Sequence, residues 1–258
     1  MQVEFGTKKY LSNNDIYNIL KDEILNLQIK PGQLLSENTV ARRFNVSRTP
    51  IRSVFDHLIK DDLLEVNPRK GTFVTLLDLD AINQIIFIRT KVEIGVMTTL
   101  ARDPDQDLFE KLNDNLSRQK QKLASGMTPE SFYEIDSQFH ELCMDALKRQ
   151  KLWQIIQKLS VHYTRYRMLD YVSTKRFEAL YKEHCTLFDC MVNGHVGKIE
   201  KYVTEHFFGG IVSIGDRLTT EFKDYFEEGS RSIPDLLDDA YSMISLVNEY
   251  YKEKENDE

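Results

Sequence analysis

Leu35-Ser36-Glu37-Asn38-Thr39-Val40-Ala41-Arg42-Arg43-Phe44-Asn45-Val46-Ser47-Arg48-Thr49-Pro50-Ile51-Arg52 reads as two short helices meeting at a tight turn. Val40, Ala41 and Phe44 make one apolar face, Asn45 tolerates the backbone angles of a turn, and Ser47 is suited to cap the helix that follows. In that second helix Ile51, Val54, Phe55, Leu58 and Ile59 recur at helical spacing, which leaves Arg48, Thr49 and Arg52 off the buried stripe at its N-terminal end. Arginine forks onto guanine edges or phosphates and hydroxyls bind phosphate, so the exposed residues are those a DNA-reading helix needs. Leu64-Glu65-Val66 and Thr72-Phe73-Val74-Thr75 then read as two strands around Asn67-Pro68-Arg69-Lys70-Gly71, a wing whose tip carries two cations.

The rest of the chain is of another kind. From Asp78 onward the strand signals stop, and breaks at Asp103-Pro104, Ser125 to Pro129, Lys148 to Lys151, Tyr171 to Lys175 and Asn193-Gly194 separate helices at about 79–102, 105–124, 129–147, 151–170, 174–193 and 195–217. Six antiparallel helices make a bundle, so the expected fold is mostly α, a winged helix-turn-helix followed by an all-α bundle. Ile82, Ile85, Ile86, Val92, Val96 and Leu100 suit the buried side of the first bundle helix, and Trp153, Ile156 and Leu159 that of the fourth. The expected domains are residues 1–77, 78–217 and a C-terminal extension, 218–258, apolar enough to form one or two more helices before a disordered acidic end beyond about Tyr251.

Composition sets the outer bounds. A chain of 258 residues with 41% hydrophobic content has room for two cores, and no run of about 18 or more apolar residues exists to span a membrane. Met1 to Lys9 lacks the apolar stretch of a secretory signal, and cysteines at 143, 185 and 190 are odd in number and not spaced as metal pairs, which points to a cytoplasmic protein. Cys143 and Cys185 read as small hydrophobes on helices. The net charge of −7 divides into +2 over residues 1–77 and −9 over residues 78–258. A local positive balance at the second helix and wing supplies phosphate attraction, and two copies facing two half-sites strengthen it, which implies a homodimer on a roughly palindromic double-stranded operator.

One constellation carries the chemistry of the bundle. Asp136 and His140 are four apart and share a helix face; His184 stands on the next helix but one and His206 on the last bundle helix. One carboxylate and three imidazoles suit a divalent transition metal such as zinc, nickel or manganese, with positions left for water or a carboxylate. His57, His162 and His195 show no such pattern.

Residues 35–75 resemble the winged-helix signature of the GntR superfamily of bacterial transcription regulators, through Leu35-Ser36-Glu37, Val46 to Arg52, Leu58, Pro68, Gly71, Phe73 and Val74. Asn38 stands where members often carry arginine, and Asp62 where a glycine before the first wing strand is usual. The resemblance implies DNA contacts at Asn38, Ser47, Arg48, Thr49 and Arg52, with Arg69, Lys70 and Gly71 at the wing. The bundle resembles the FCD effector domain of the FadR subfamily, whose metal-binding branch carries Asp-x-x-x-His followed by two later helix histidines. That implies metal at Asp136, His140, His184 and His206, a small organic acid as effector, and an acid-anchoring arginine at Arg89, with Arg165 and Arg167 as further candidates. Arg89 also stands four residues before Glu93, the spacing of a salt bridge. The alternatives are a purely structural metal and a metal-dependent hydrolase; the latter lacks a general base, since Glu183 and Glu205 each point about 100 degrees from the adjacent histidine.

Overall fold

The computed structural model describes residues 11–229 and 231–257, of which 253–257 by backbone alone; the Met1 to Lys9 start lies outside the described residues. The chain divides between Leu76 and Leu77 into two compact units.

In the first unit α1 (Asn13–Leu25) opens with a capping box between Ser12 and Asp15. It buries Ile16, Leu20 and Ile24 against α3 (Arg48–Lys60), which contributes Ile51, Val54, Phe55 and Leu58. Between them α2 (Glu37–Phe44) ends at Asn45 in the left-handed conformation (φ 53°, ψ 46°), the turn residue read from the sequence. Ser47 occupies the N-cap position of α3 with extended backbone, but its hydroxyl makes no capping bond. Strands β1 (Leu64–Asn67) and β2 (Gly71–Val74) pair antiparallel, Leu64 opposite Val74 and Asn67 opposite Gly71. A bridge from Leu34 to Phe73 ties the segment before α2 to the wing. Only a glycine lets Leu34 approach this closely, since a Cβ at Gly71 would stand 2.7 Å from Leu34 Cδ1 and φ is +127°. Asp62 has φ 57°, which explains why glycine suits that position: aspartate is among the few other residues that enter the left-handed region without large cost.

The second unit contains α4 (Leu79–Arg102), α5 (Gln106–Ser125), α6 (Pro129–Ala146), α7 (Gln150–Leu159), α8 (Val161–Thr174), α9 (Phe177–Val192), α10 (Val196–Ile214) and α11 (Ile233–Asp257). The helix expected over 151–170 is two helices. Ser160 ends α7 and begins α8 with backbone angles outside the helical region (φ −92°, ψ 18°), and its hydroxyl donates to Ile156 O. Leu159, expected in the core, is exposed, while Trp153 and Ile156 are buried. The break aims α8 into the middle of the bundle, where every residue from His162 to Tyr171 is buried. Such a helix shows no amphipathic stripe, so periodicity could not mark its boundary. His184 is consequently three helices beyond His140 rather than two.

The C-terminal extension passes through a 3₁₀ turn at Lys223–Tyr225 into one long helix, α11, whose backbone stays helical to Asp257, where disorder was expected beyond Tyr251. Ser232 and Asp235 cap its start reciprocally, Ser232 N donating to Asp235 Oδ2 (2.8 Å) and Asp235 N to Ser232 Oγ (3.3 Å). Leu236 and Ala240 are fully buried, and α11 packs on α10 and α4. Before it, Tyr225 O and Glu227 N bond Leu77 N and O, at 2.8 and 3.1 Å. Among the described residues no helix is long and apolar enough to cross a membrane.

Candidate metal centre and nucleic-acid interface

Four buried residues from three helices of the second unit converge: Asp136 and His140 of α6, His184 of α9 and His206 of α10. One ligand atom from each lies within 4.8 Å of all the others, so the group could hold a metal ion. His140 Nε2 and His206 Nε2 are 3.2 Å apart, and His184 Nε2 is 3.4 Å from Asp136 Oδ1. Neither His184 Nε2 nor Asp136 Oδ1 makes a hydrogen bond within the protein, although both are buried.

The outward nitrogens explain why the Nε2 atoms face each other. His140 Nδ1 donates to Glu93 of α4, His184 Nδ1 to Gln119 Oε1 of α5 (3.1 Å) and His206 Nδ1 to Glu183 Oε2 of α9 (2.8 Å). Gln119 is itself oriented, because its amide donates to Asn115 Oδ1 (2.7 Å) and Asn115 donates to Ile135 O (3.0 Å). With the protons committed outward, three lone pairs point inward beside a carboxylate. Lone pairs in such a cluster repel until a cation sits among them, so the residues fit a metal by chemistry as well as by distance.

The electrostatics agree. Burial pushes the His140 and His184 imidazoles down, His184 strongly, which keeps them neutral and able to ligate. Burial alone would raise the Asp136 carboxyl, but the Arg167 guanidinium on its Oδ2 overrides this and holds it well below the usual carboxylate range. Glu93 is likewise buried yet held down to about 2 by Arg89 and His140.

Of the arginines considered from sequence, Arg89 is buried and donates from Nε to Glu93 Oε1 (2.9 Å), with Nη2 2.7 Å from the same oxygen as an ion-pair contact but without a hydrogen bond, under the rings of Trp153, Tyr163 and Phe207. It therefore reaches the cluster through Glu93 and His140. Arg167 touches the cluster directly at Asp136. Arg165 lies beside His162 Nδ1 (3.1 Å) instead. Sequence reading missed Glu93 and Glu183 as histidine partners, and missed Gln119 altogether. The available signal was a polar pair, Asn115 and Gln119, four apart on the face that also carries Leu112 and Leu116. Beside His206 and Arg167, a cavity between α8 and α10 has free space of about 20 Å³.

In the first unit Asn38, Ser47, Arg48, Thr49 and Arg52 are exposed, as are Arg69, Lys70 and Gly71 at the wing tip. Arg48 pairs with Glu37 at 2.9 Å. Asn38 and Arg48 line one groove together with Arg42, a further exposed cation that sequence reading passed over. Arg69 takes a left-handed conformation (φ 69°), which turns the wing between its strands.

Comparison with known proteins agrees with both halves. Residues 12–74 match the family of bacterial regulatory proteins named for gntR, and residues 84–208 match the FCD domain. The chain is 30% identical to the HTH-type transcriptional repressor RspR of Escherichia coli, over 84% of this chain and 94% of that protein. It is 28% identical to an uncharacterized HTH-type transcriptional regulator in an unstable DNA locus of Streptomyces ambofaciens, over 86% of this chain and 93% of that one. Its fold is similar to that of E. coli McbR/YncC, with a TM-score of 0.62 at 17% identity, covering 78% of this chain and 95% of the other. The FCD match stops at residue 208, so α11 lies beyond it.

Proposed function

This chain belongs to the gntR family of bacterial regulatory proteins, its second unit being an FCD domain, and on that premise we propose a cytoplasmic homodimeric regulator whose operator affinity is set by a small organic acid bound beside a divalent transition metal. It is a DNA-binding transcription regulator, not an enzyme. The observation that carries the metal reading is the convergence of three histidine Nε2 atoms and Asp136, each imidazole fixed from behind by its own acceptor. Asp136, His140, His184 and His206 would hold zinc, nickel or manganese, which when bound supplies a Lewis-acidic anchor for a carboxylate. Arg167 and Arg89 add positive charge next to that position, and Arg165 is a further candidate for the acid.

On the DNA side, Asn38, Ser47, Arg48, Thr49 and Arg52 meet the major groove, and Arg69, Lys70 and Gly71 meet the backbone beside it. Two copies on two half-sites imply a palindromic operator. Acid binding changes operator affinity only through differential affinity for two states, a coupling of typically ~1–3 kcal/mol that acts equally in reverse.

The test is elemental analysis of purified protein by plasma mass spectrometry, wild type against a His140→Ala, His184→Ala double variant, followed by operator titration with and without organic acids. Near-stoichiometric metal lost in the variant, together with an acid-dependent change in operator affinity, is the expected result. Metal absent from wild type after reconstitution would sink the metal centre. The tightness of the cavity beside His206 favours a second reading, a purely structural metal; chelation lowers the melting temperature under both readings, but under this one no acid alters operator affinity.

A further inference from the structure

The cavity between α8 and α10 has two chemically opposite ends. At one end stand Arg167 and His206, beside the Asp136 carboxylate. At the other stands Asp170, one turn further along α8 and 4% exposed. Its Oδ1 accepts from Thr174 Oγ1 at 3.0 Å, while its Oδ2 lies over the backbone of α10, 3.1 Å from where a Cβ on Gly210 would stand. The neighbouring cation, Arg176, lies over Gly209 and is paired with Glu183. Two successive glycines inside a helix weaken it by roughly 0.5–1 kcal/mol each relative to alanine, and here they bring the Asp170 carboxylate and the Arg176 guanidinium close to the α10 backbone.

Tyr166 lines the same cavity, 2% exposed, with a hydroxyl that makes no hydrogen bond within the protein. Burial pushes this phenol well up, and the charge of Asp170 adds to the shift, which marks the two as electrostatic neighbours. A buried hydroxyl without a partner is costly unless a ligand or water answers it, and the Asp170 carboxylate beside it supplies an acceptor for a donor placed there.

We propose that Asp170 and Tyr166 form a specificity pair, selecting small acids that carry a hydrogen-bond donor near the carboxylate, a hydroxyl or an ammonium, over acids that carry none. The inference rests on the acid-sensing reading above and deepens it. The acid's carboxylate faces Arg167 and the metal position, and its donor faces Asp170. Arg167 and Asp170 are three apart on one helix, so their side chains are neighbours at ~5–6 Å, a span that short substituted acids bridge. Free space of about 20 Å³ would hold roughly one water, so the ligand is small and enters by shifting the surrounding tyrosine rings.

The test is isothermal titration of the full-length, zinc-loaded protein with propionate, 2-hydroxypropionate, 3-hydroxypropionate and 2-aminopropionate. Wild type is expected to bind at least one donor-bearing acid about tenfold or more tighter than propionate, the effect of answering a buried acceptor. Asp170→Leu removes that preference. Asp170→Asn separates the two donors: an amide oxygen still accepts from a hydroxyl, so a hydroxy-acid preference survives in part, whereas an ammonium preference collapses with the charge. Tyr166→Phe, which keeps the ring, reduces the preference without loss of zinc, a readout by elemental analysis that separates it from misfolding. Equal affinity for propionate and the substituted acids, or a preference that survives Asp170→Leu, overturns the proposal and leaves acid sensing intact. Failure of every acid to bind overturns both.

Discussion

His140 and His206 face each other with their Nε2 atoms 3.2 Å apart, while each gives its Nδ1 to a buried or half-buried glutamate, Glu93 and Glu183. With both imidazoles neutral and their Nδ1 protons committed outward, the two Nε2 lone pairs face one another, an arrangement that suits a cation between them. The glutamates that set it up lie on α4 and α9, apart from the helices that carry the two histidines.

Glu183→Gln keeps the size of the His206 partner and removes its charge. A loss of an outer-shell carboxylate typically weakens metal affinity ~10–100-fold. Competition against a chromogenic chelator measures it, and an unchanged affinity would show that Glu183 does not tune the centre.

Chelation should cost stability as well as metal. With the imidazole lone pairs left facing one another, the metal-free protein melts lower than the zinc-loaded one, and the difference grows with free zinc as mass action requires. Differential scanning calorimetry at two zinc concentrations reads this directly; equal melting temperatures would mean that the four residues form only a polar core.

Burial raises the Asp170 carboxyl to about 6 against an ordinary value of 3.8, with Arg176 opposing the shift. The folded state then holds a proton that the unfolded chain has released. The stability contribution of this group is complete below the unfolded value and is lost as pH rises from about 4 to about 6. Asp170→Asn does not titrate, so in urea denaturation the variant gains on wild type as pH rises through that window, by ~2–3 kcal/mol at most. A difference that is flat in pH would contradict the shift.

The proposed DNA contacts assign different roles to the exposed cations. If Arg52 reads base edges, Arg52→Ala costs ~1–3 kcal/mol on the operator with relaxed discrimination at one position. Lys70→Ala at the wing tip weakens binding to all sequences alike and lowers the salt slope by about 1. Fluorescence anisotropy over a salt series, on operator and scrambled duplexes, separates the two; identical behaviour of both variants would overturn the assignment of roles.

The sequence by itself determined the local features. Asn45 at the turn, the stripe from Ile51 to Leu58, and the cationic tip between two short strands depend on residues within a few positions of one another, where helical period and turn chemistry decide the outcome. Asp136 and His140 were legible for the same reason, being one helical turn apart. The tertiary structure alone decided the rest. The break at Ser160 and the burial of α8 follow from α4, α6 and α10 packing around a helix whose composition shows no face. Glu93, Gln119 and Glu183 lie 47, 65 and 23 positions from the histidines they orient, and Arg167 lies 31 from Asp136. Polar groups buried together must find partners wherever packing brings them, and which helix faces meet is a property of the whole bundle, invisible in the periodicity of any one of them.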